Sequence, residues 1–382
     1  MTARITLPGR TEPLVVERPP WAASHPAPVS RRVLAAAHVA ARPDGSIDWA
    51  ATAQFREYLW GHGFAVADAM DTAQRGMGLT WPQARELIQR TAGQAAARAG
   101  LSGPAALLAC GAGTDQLAPG GRYGLAAITS AYEEQIDQVQ SAGAQVILMA
   151  SRALAATARS ARDYLEVYGT LLDQAREPVI VHWLGEAFDP ELRGYWGAAG
   201  FAAAAGTVLD LVERAGDRID GIKLSVLDAS AERALRRRLP PGVRLYTGDD
   251  FHYAELIKGG PDGHSDALLG AFAAITVPAA EALRALDAGD EPAYDAIMGA
   301  TVPLSRKVFT VPTSCYKTGV AFLAWLNGLQ PHFAMLDGFE RRRPPRHLAE
   351  VFELAVAAGA LLDPDLAVAR MEQFLAVAGG RL

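Results

Sequence analysis

Cysteine and lysine are the scarce residues of this chain. Two cysteines, Cys110 and Cys315, in 382 residues do not make a disulfide framework. They fit a reducing compartment, so a cytoplasmic location is expected. Lysine occurs only as Lys223, Lys258, Lys307 and Lys317, among 36 basic residues. Arginine therefore carries the generic surface charge, and a lysine inside an apolar stretch calls for a reason. Long apolar runs are missing as well: none approaches the ~18 residues of a membrane span, and no membrane partner is expected. The opening stretch, MTARITLPGRTEPLVVERPP, mixes charges with prolines and lacks the apolar centre of a signal peptide. An excess of positive charge is also absent. The formal net charge is -6, which leaves no footprint for nucleic acid. A dense basic run, Arg341, Arg342 and Arg343 followed by Arg346, flanks Pro344 and Pro345 and is expected to be a solvated loop.

What is present is ordinary globular composition, 50% hydrophobic and 20% charged. Short apolar runs alternate with helical patterns. The runs are Val33–Ala40, Phe64–Met70, Ala105–Cys110, Gln145–Ala150, Pro178–Trp183, Gly221–Val226, Val243–Thr247 and, more weakly, Gly263–Ser265. Between them, Tyr164, Leu165, Tyr168, Leu171 and Leu172 fall on one helical face, as do Phe55, Tyr58 and Leu59 behind the cap candidate Asp48. Thr80-Trp81-Pro82 opens a further helix, with proline in its first turn. Alternation of this kind, repeated about eight times, predicts parallel strands with crossover helices. The rival, a doubly wound open sheet, usually places a glycine-rich phosphate loop after its first strand. Here Ala41-Arg42-Pro43-Asp44-Gly45 stands there instead. The expected fold is a (β/α)8 TIM barrel, which takes roughly 250 residues. Its expected limits are 31–290, with a short hairpin-like N-terminal extension over 1–30 and a C-terminal helical region over 291–382.

Chemistry is expected at the C-terminal ends of the strands, where barrel active sites sit. In Gly221-Ile222-Lys223-Leu224-Ser225, Lys223 faces opposite to Ile222 and Leu224. Facing the barrel interior it would be desolvated, its ammonium disfavoured, and the neutral amine is the form that makes a Schiff base. At a strand end it would instead reach solvent or pair with a carboxylate. His182, in Val181-His182-Trp183, suits acid–base work near neutral pH or, alternatively, a hydrogen-bonded place in the core. Thr247-Gly248-Asp249-Asp250 suits either a catalytic mouth or a plain turn. The segment Met70-Asp71-Thr72-Ala73-Gln74-Arg75-Gly76-Met77-Gly78, a polar loop with two glycines, lines a pocket or merely connects.

Several of these segments, taken in order, resemble the dihydrodipicolinate synthase/N-acetylneuraminate lyase family. The strand Asp220-Gly221-Ile222-Lys223 is similar to the family's lysine strand, and Thr247-Gly248-Asp249-Asp250 to its Ser-Gly-Asp-Asp strand end. Gly260-Pro261-Asp262-Gly263-His264-Ser265, Pro312-Thr313-Ser314-Cys315-Tyr316-Lys317 and Pro43-Asp44-Gly45-Ser46-Ile47-Asp48 continue the likeness, which spans about residues 33–330. The resemblance implies a barrel, Lys223 as the Schiff-base residue, homo-oligomerisation and no cofactor. The chain departs from the family in three places. Asp71-Thr72-Ala73-Gln74 stands where the family has Gly-Thr-Thr-Gly-Glu, His182 where it has its proton-shuttling tyrosine, and Ser151-Arg152-Ala153-Leu154 where it has a Tyr-Tyr segment. A divergent branch is implied.

The function expected is a Schiff-base carbon–carbon lyase, aldolase or related dehydratase acting on a small carbonyl compound, a sugar-derived ketone or keto acid. Lys223 is its nucleophile and His182 its proton shuttle; Asp71, Thr72, Gln74, Thr247, Asp249 and Asp250 contact substrate. Two alternatives stand beside it. One is a metal-dependent isomerase or hydrolase drawing ligands from Asp71, His182, Asp250 and His252. The other is a non-catalytic binding barrel.

Overall fold

The computed structural model describes residues 2–378; residues 379–382 of the expected helical region lie outside the described residues. Eight parallel strands form a closed barrel. In chain order the strands of the protein are β1 (Thr2–Ile5), β2 (Leu14–Glu17), β3 (Val33–Ala36), β4 (Ala65–Asp68), β5 (Leu108–Ala112), β6 (Gln145–Leu148), β7 (Val179–Leu184), β8 (Ile219–Ser225), β9 (Arg244–Thr247) and β10 (Asp266–Leu269). The first two pair antiparallel as a separate hairpin. The other eight make the barrel in the order β10-β3-β4-β5-β6-β7-β8-β9. Strands buried on both faces need continuous apolar sequence rather than alternation, and Ile180, Val181, Ile222, Leu224, Leu268 and Leu269 are all fully buried.

Two strands start three residues later than the apolar runs suggest. Pro104–Ala106 form a 3-10 turn, so β5 begins at Leu108. Gly260 and Gly263 close a tight turn on each other, at 3.0 and 2.9 Å. The last strand is therefore Asp266–Leu269 and not Gly263–Ser265. The helix starts follow their side chains. Asp48 accepts from Ala51 N at 3.1 Å ahead of Trp49–Gly61, and Gln83 accepts from Thr80 N at 2.9 Å ahead of Trp81–Ala99. Such caps satisfy amide groups that the helix itself leaves unpaired.

The chain packs as two compact units, one of residues up to Phe64 together with those from Gly270 onward, the other of Ala65–Leu269. In the first, Trp21 Nε1 donates to Gly359 O at 2.7 Å, and His25 reaches both His62 (2.8 Å, Nδ1 to Nδ1) and Glu281 (3.1 Å). Its helices include Thr276–Asp287, Glu291–Val308, Tyr316–Leu326, Pro345–Ala357 and Pro364–Ala378. Arg343 departs from the solvated loop expected for the basic run. It is 6% exposed, and its guanidinium donates to the carbonyls of Thr310 and Pro312, so it closes the end of a helix instead of facing water. Cys110 and Cys315 are buried and form no disulfide. Among the described residues no single helix is long and apolar enough to cross a membrane.

Candidate active site

The second unit, Ala65–Leu269, carries the residues that the sequence points to. Lys223 sits on β8 in register with His182 on β7. Register partners on parallel neighbours point to the same face, so the amine and the imidazole stand side by side. Both are buried, at 4% and 2% exposure. Ser225, two residues beyond Lys223 and thus on the same face, lies with its Oγ 3.2 Å from His182 Nε2. The charges that act on Lys223 come from Asp71, in the turn after β4, and Asp250, just after β9. Both lie beyond the C-terminal ends of their strands, which places the ammonium at the face where barrel chemistry occurs.

Burial pushes the Lys223 pKa below its ordinary value, while the carboxylates of Asp71 and Asp250 pull it part of the way back. The amine is thus easier to deprotonate than a surface lysine, yet it remains held by two negative charges. His182 is pushed well below the usual histidine range, by burial first and by the neighbouring Lys223 charge second, with Asp71 opposing. It stands neutral at pH 7, with one ring nitrogen free to accept a proton.

The remaining predicted residues divide. Asp71 is half-buried and opens the 3-10 turn Asp71–Ala73. Thr72 is fully buried behind it. Gln74 is in the left-handed region, with φ 62°, and turns its amide back onto Met77 O at 3.2 Å. Asp249 is committed to its own turn. Its Oδ1 accepts from Phe251 N (2.8 Å) and His252 N (3.0 Å), and its Oδ2 pairs with His252 Nδ1 at 2.8 Å. Thr247 directs its hydroxyl to Glu232 at 3.0 Å. Of the Thr247–Asp250 segment, Asp250 is therefore the residue whose charge reaches Lys223. Among the described residues no three His, Cys, Asp or Glu side chains are grouped to hold a metal ion; Asp71, His182, Asp250 and His252 do not assemble as one cluster.

Two contributors went unassigned in the sequence. Ser225 was legible from the two-residue period of the strand. Gly248 was not. A Cβ there would lie 2.1 Å from Ser225 Oγ and 3.1 Å from Lys223 Cε, so only glycine lets β9 pass this close. Arg75 secures the turn that carries Asp71. It donates to Ala69 O (2.7 Å) and Gly111 O (3.0 Å) and makes a two-point bond to Asp115 at 2.8 and 2.9 Å. Ala69 is itself left-handed at φ 48°, a conformation that costs of order 1–3 kcal/mol in a residue with a side chain. Its carbonyl is one of those the guanidinium holds.

A cavity of about 320 Å³ opens beside the C-terminal ends of β7 and β8, lined by Trp183, Gly185, Tyr195, Phe201, Val226 and Asp228. A larger one, about 900 Å³, lies at the opposite ends of the strands, against Pro178, Ile219, Asp220 and Val243. Neither set of lining residues includes Lys223 or His182.

Solved structures with this architecture include the dihydrodipicolinate synthase of Aquifex aeolicus, at 16% identity and a TM-score of 0.64 over 87% of this chain and 99% of that one. The Thermotoga maritima enzyme gives 14% identity and a TM-score of 0.63 over 87% and 100%. The chloride-inhibited enzyme of Acinetobacter baumannii, solved with pyruvate, gives 16% and 0.61 over 87% and 100%. The fold is thus that of the dihydrodipicolinate synthases. A search of curated proteins finds no match to the sequence. A family model described as protein of unknown function, DUF993, matches residues 8–380, and the chain belongs to that family.

Proposed function

We propose that the protein is a Schiff-base lyase of the aldolase type, with Lys223 as nucleophile and His182 as proton shuttle. The observation that carries this reading is a buried lysine amine standing in register beside a buried, neutral imidazole. The neutral amine adds to a substrate carbonyl, and loss of water leaves an iminium. As the adjacent carbon–carbon bond breaks, its electron pair moves toward the iminium nitrogen and yields an enamine. The hydroxyl proton of the departing fragment passes to His182. The imidazolium then protonates the enamine carbon, and water hydrolyses the iminium, which releases product and restores the amine.

The substrate class follows from Asp71. A carboxylate at the turn after β4 accepts hydrogen bonds from hydroxyls and repels a second carboxylate. A neutral hydroxylated ketone suits it better than an α-keto acid. Borohydride treatment in the presence of a panel of ketoses and keto acids tests the proposal. A stable mass increase with hydroxylated ketones supports it, and an unmodified chain across the whole panel refutes it.

A further inference from the structure

Glu232 lies on the helix Ala229–Arg236, which follows β8, and is 1% exposed. Two hydroxyls donate into its carboxylate: Thr247 Oγ1 to Oε2 at 3.0 Å and Ser265 Oγ to Oε1 at 2.7 Å. Each hydroxyl has a single proton, and each oxygen in turn accepts. Asp249 N–H donates to Thr247 Oγ1 at 3.2 Å, and Arg236 Nη1 to Ser265 Oγ at 3.0 Å. Both chains of donors converge on Glu232. One of them is the backbone of the β9 turn, whose next residue, Asp250, acts on Lys223. The far side of the same turn is pinned by the bonds from Asp249 to Phe251 and His252. Asp250 is thus suspended between two anchored points.

We propose that Glu232 is a positioning residue for the site: through the Thr247 hydroxyl it fixes the Thr247–Asp250 turn and so sets the approach of the Asp250 carboxylate to the Lys223 amine. The inference rests on reading Lys223 as the reactive group. Its physical basis is that a buried carboxylate with two hydroxyl donors and no outlet to water leaves the turn a single low-energy arrangement. Arg236 on the same helix and Asp249 on the turn are the charged groups that face Glu232, and they act in opposite senses; Asp249 in turn carries His252. Burial, the largest influence, pushes the carboxyl up to about 7. Once protonated, one oxygen becomes a donor, and either Thr247 or Ser265 must reverse its bond.

The four lysines make the test direct and free of substrate. Protein labelled with ¹³C at lysine Cε gives four resonances to follow by NMR across pH, and Lys223→Arg identifies the one that matters. Asp250→Asn is expected to weaken proton binding at Lys223. Glu232→Gln is expected to weaken it by about threefold or more, half a pKa unit, and to add nothing in the Asp250→Asn background. Thr247→Val cuts the same link while leaving Ser265 on Glu232, and is expected to match Glu232→Gln. Thr247→Ser is expected to titrate as the parent protein does. An unchanged Lys223 resonance in Glu232→Gln and Thr247→Val overturns the proposal. An equal shift with and without Asp250, or no effect of Asp250→Asn itself, does so as well. Failure of the Schiff-base reading registers separately, as absence of carbonyl trapping with this coupling intact.

Discussion

His182 Nε2 and Ser225 Oγ lie 3.2 Å apart, on neighbouring strands and on the same face as Lys223. The serine gives the neutral imidazole a fixed partner on one nitrogen, which sets the ring's orientation. Burying two polar groups costs free energy unless they bond, and this contact offsets part of that cost for both.

The pair makes a graded expectation. His182→Phe removes the proton acceptor and is expected to slow turnover roughly 10²–10⁴-fold, the usual range for general acid–base catalysis. Ser225→Ala keeps the imidazole and loses one bond of about 1 kcal/mol, which corresponds to about a fivefold effect. Steady-state rates with a substrate identified by trapping check both. Equal losses in the two variants would mean that the serine does more than orient the ring.

Gly248→Ala tests the close passage of β9. The new methyl group would stand 2.1 Å from Ser225 Oγ and 2.9 Å from Leu224 O. The serine can rotate away, but the carbonyl belongs to the barrel wall. Overpacking of this kind costs typically about 1–3 kcal/mol, measurable as a lower denaturant midpoint. Trapping at Lys223 is expected to fall with it, because Lys223 Cε lies 3.1 Å from the same methyl position.

Pyruvate is expected to be a poor ligand. Two like charges at about 4 Å repel by ~1 kcal/mol in water and ~4 kcal/mol at an intermediate dielectric, against the 1.5–3 kcal/mol or so of a charged hydrogen bond. Arg75 stands four residues further on, but its guanidinium is held by Asp115, Ala69 and Gly111. Asp71→Asn is expected to raise borohydride trapping by pyruvate several-fold and to lower trapping by hydroxylated ketones. A variant that leaves both unchanged would remove Asp71 from substrate recognition.

Acid stability depends on a second histidine. Burial and the neighbouring His25 push His62 down to about 4, with Glu281 opposing. The unfolded chain, with histidine near 6.5, binds more protons between these values, so stability is full above about pH 6.5 and falls as pH drops toward 4. The loss is of the order of 1–2 kcal/mol by pH 5, after allowance for solvent screening. Urea unfolding at pH 7 and pH 5 is expected to show a smaller acid loss in His62→Gln than in the parent protein.

The fold was legible in the sequence because parallel strands announce themselves as short apolar runs, and eight of them follow one another with helices between. Lys223 stood out for a simpler reason, as one of four lysines and the one set within an apolar strand. Strand limits were less legible. The turn of Gly260 on Gly263 displaces the last strand by a few residues, and such a turn is set by backbone bonds that composition does not encode. Thr247 and Asp249 illustrate a further gap. Their hydroxyl and carboxylate look available in the sequence, yet Glu232, some fifteen residues earlier and on a helix, takes the hydroxyl, and His252 takes the carboxylate. Side chains on different elements compete for the same bonds, and only the folded chain shows which partner wins.

The most direct measurement is the location of a trapped carbonyl adduct. The protein is incubated with a hydroxylated ketone and borohydride, digested, and its peptides are weighed. The adduct is expected on the peptide containing Lys223, absent from those of Lys258, Lys307 and Lys317, and lost in Lys223→Arg, whose guanidinium stays protonated and forms no imine. An adduct spread over the other lysines, or full turnover by Lys223→Arg, would contradict covalent catalysis at this site.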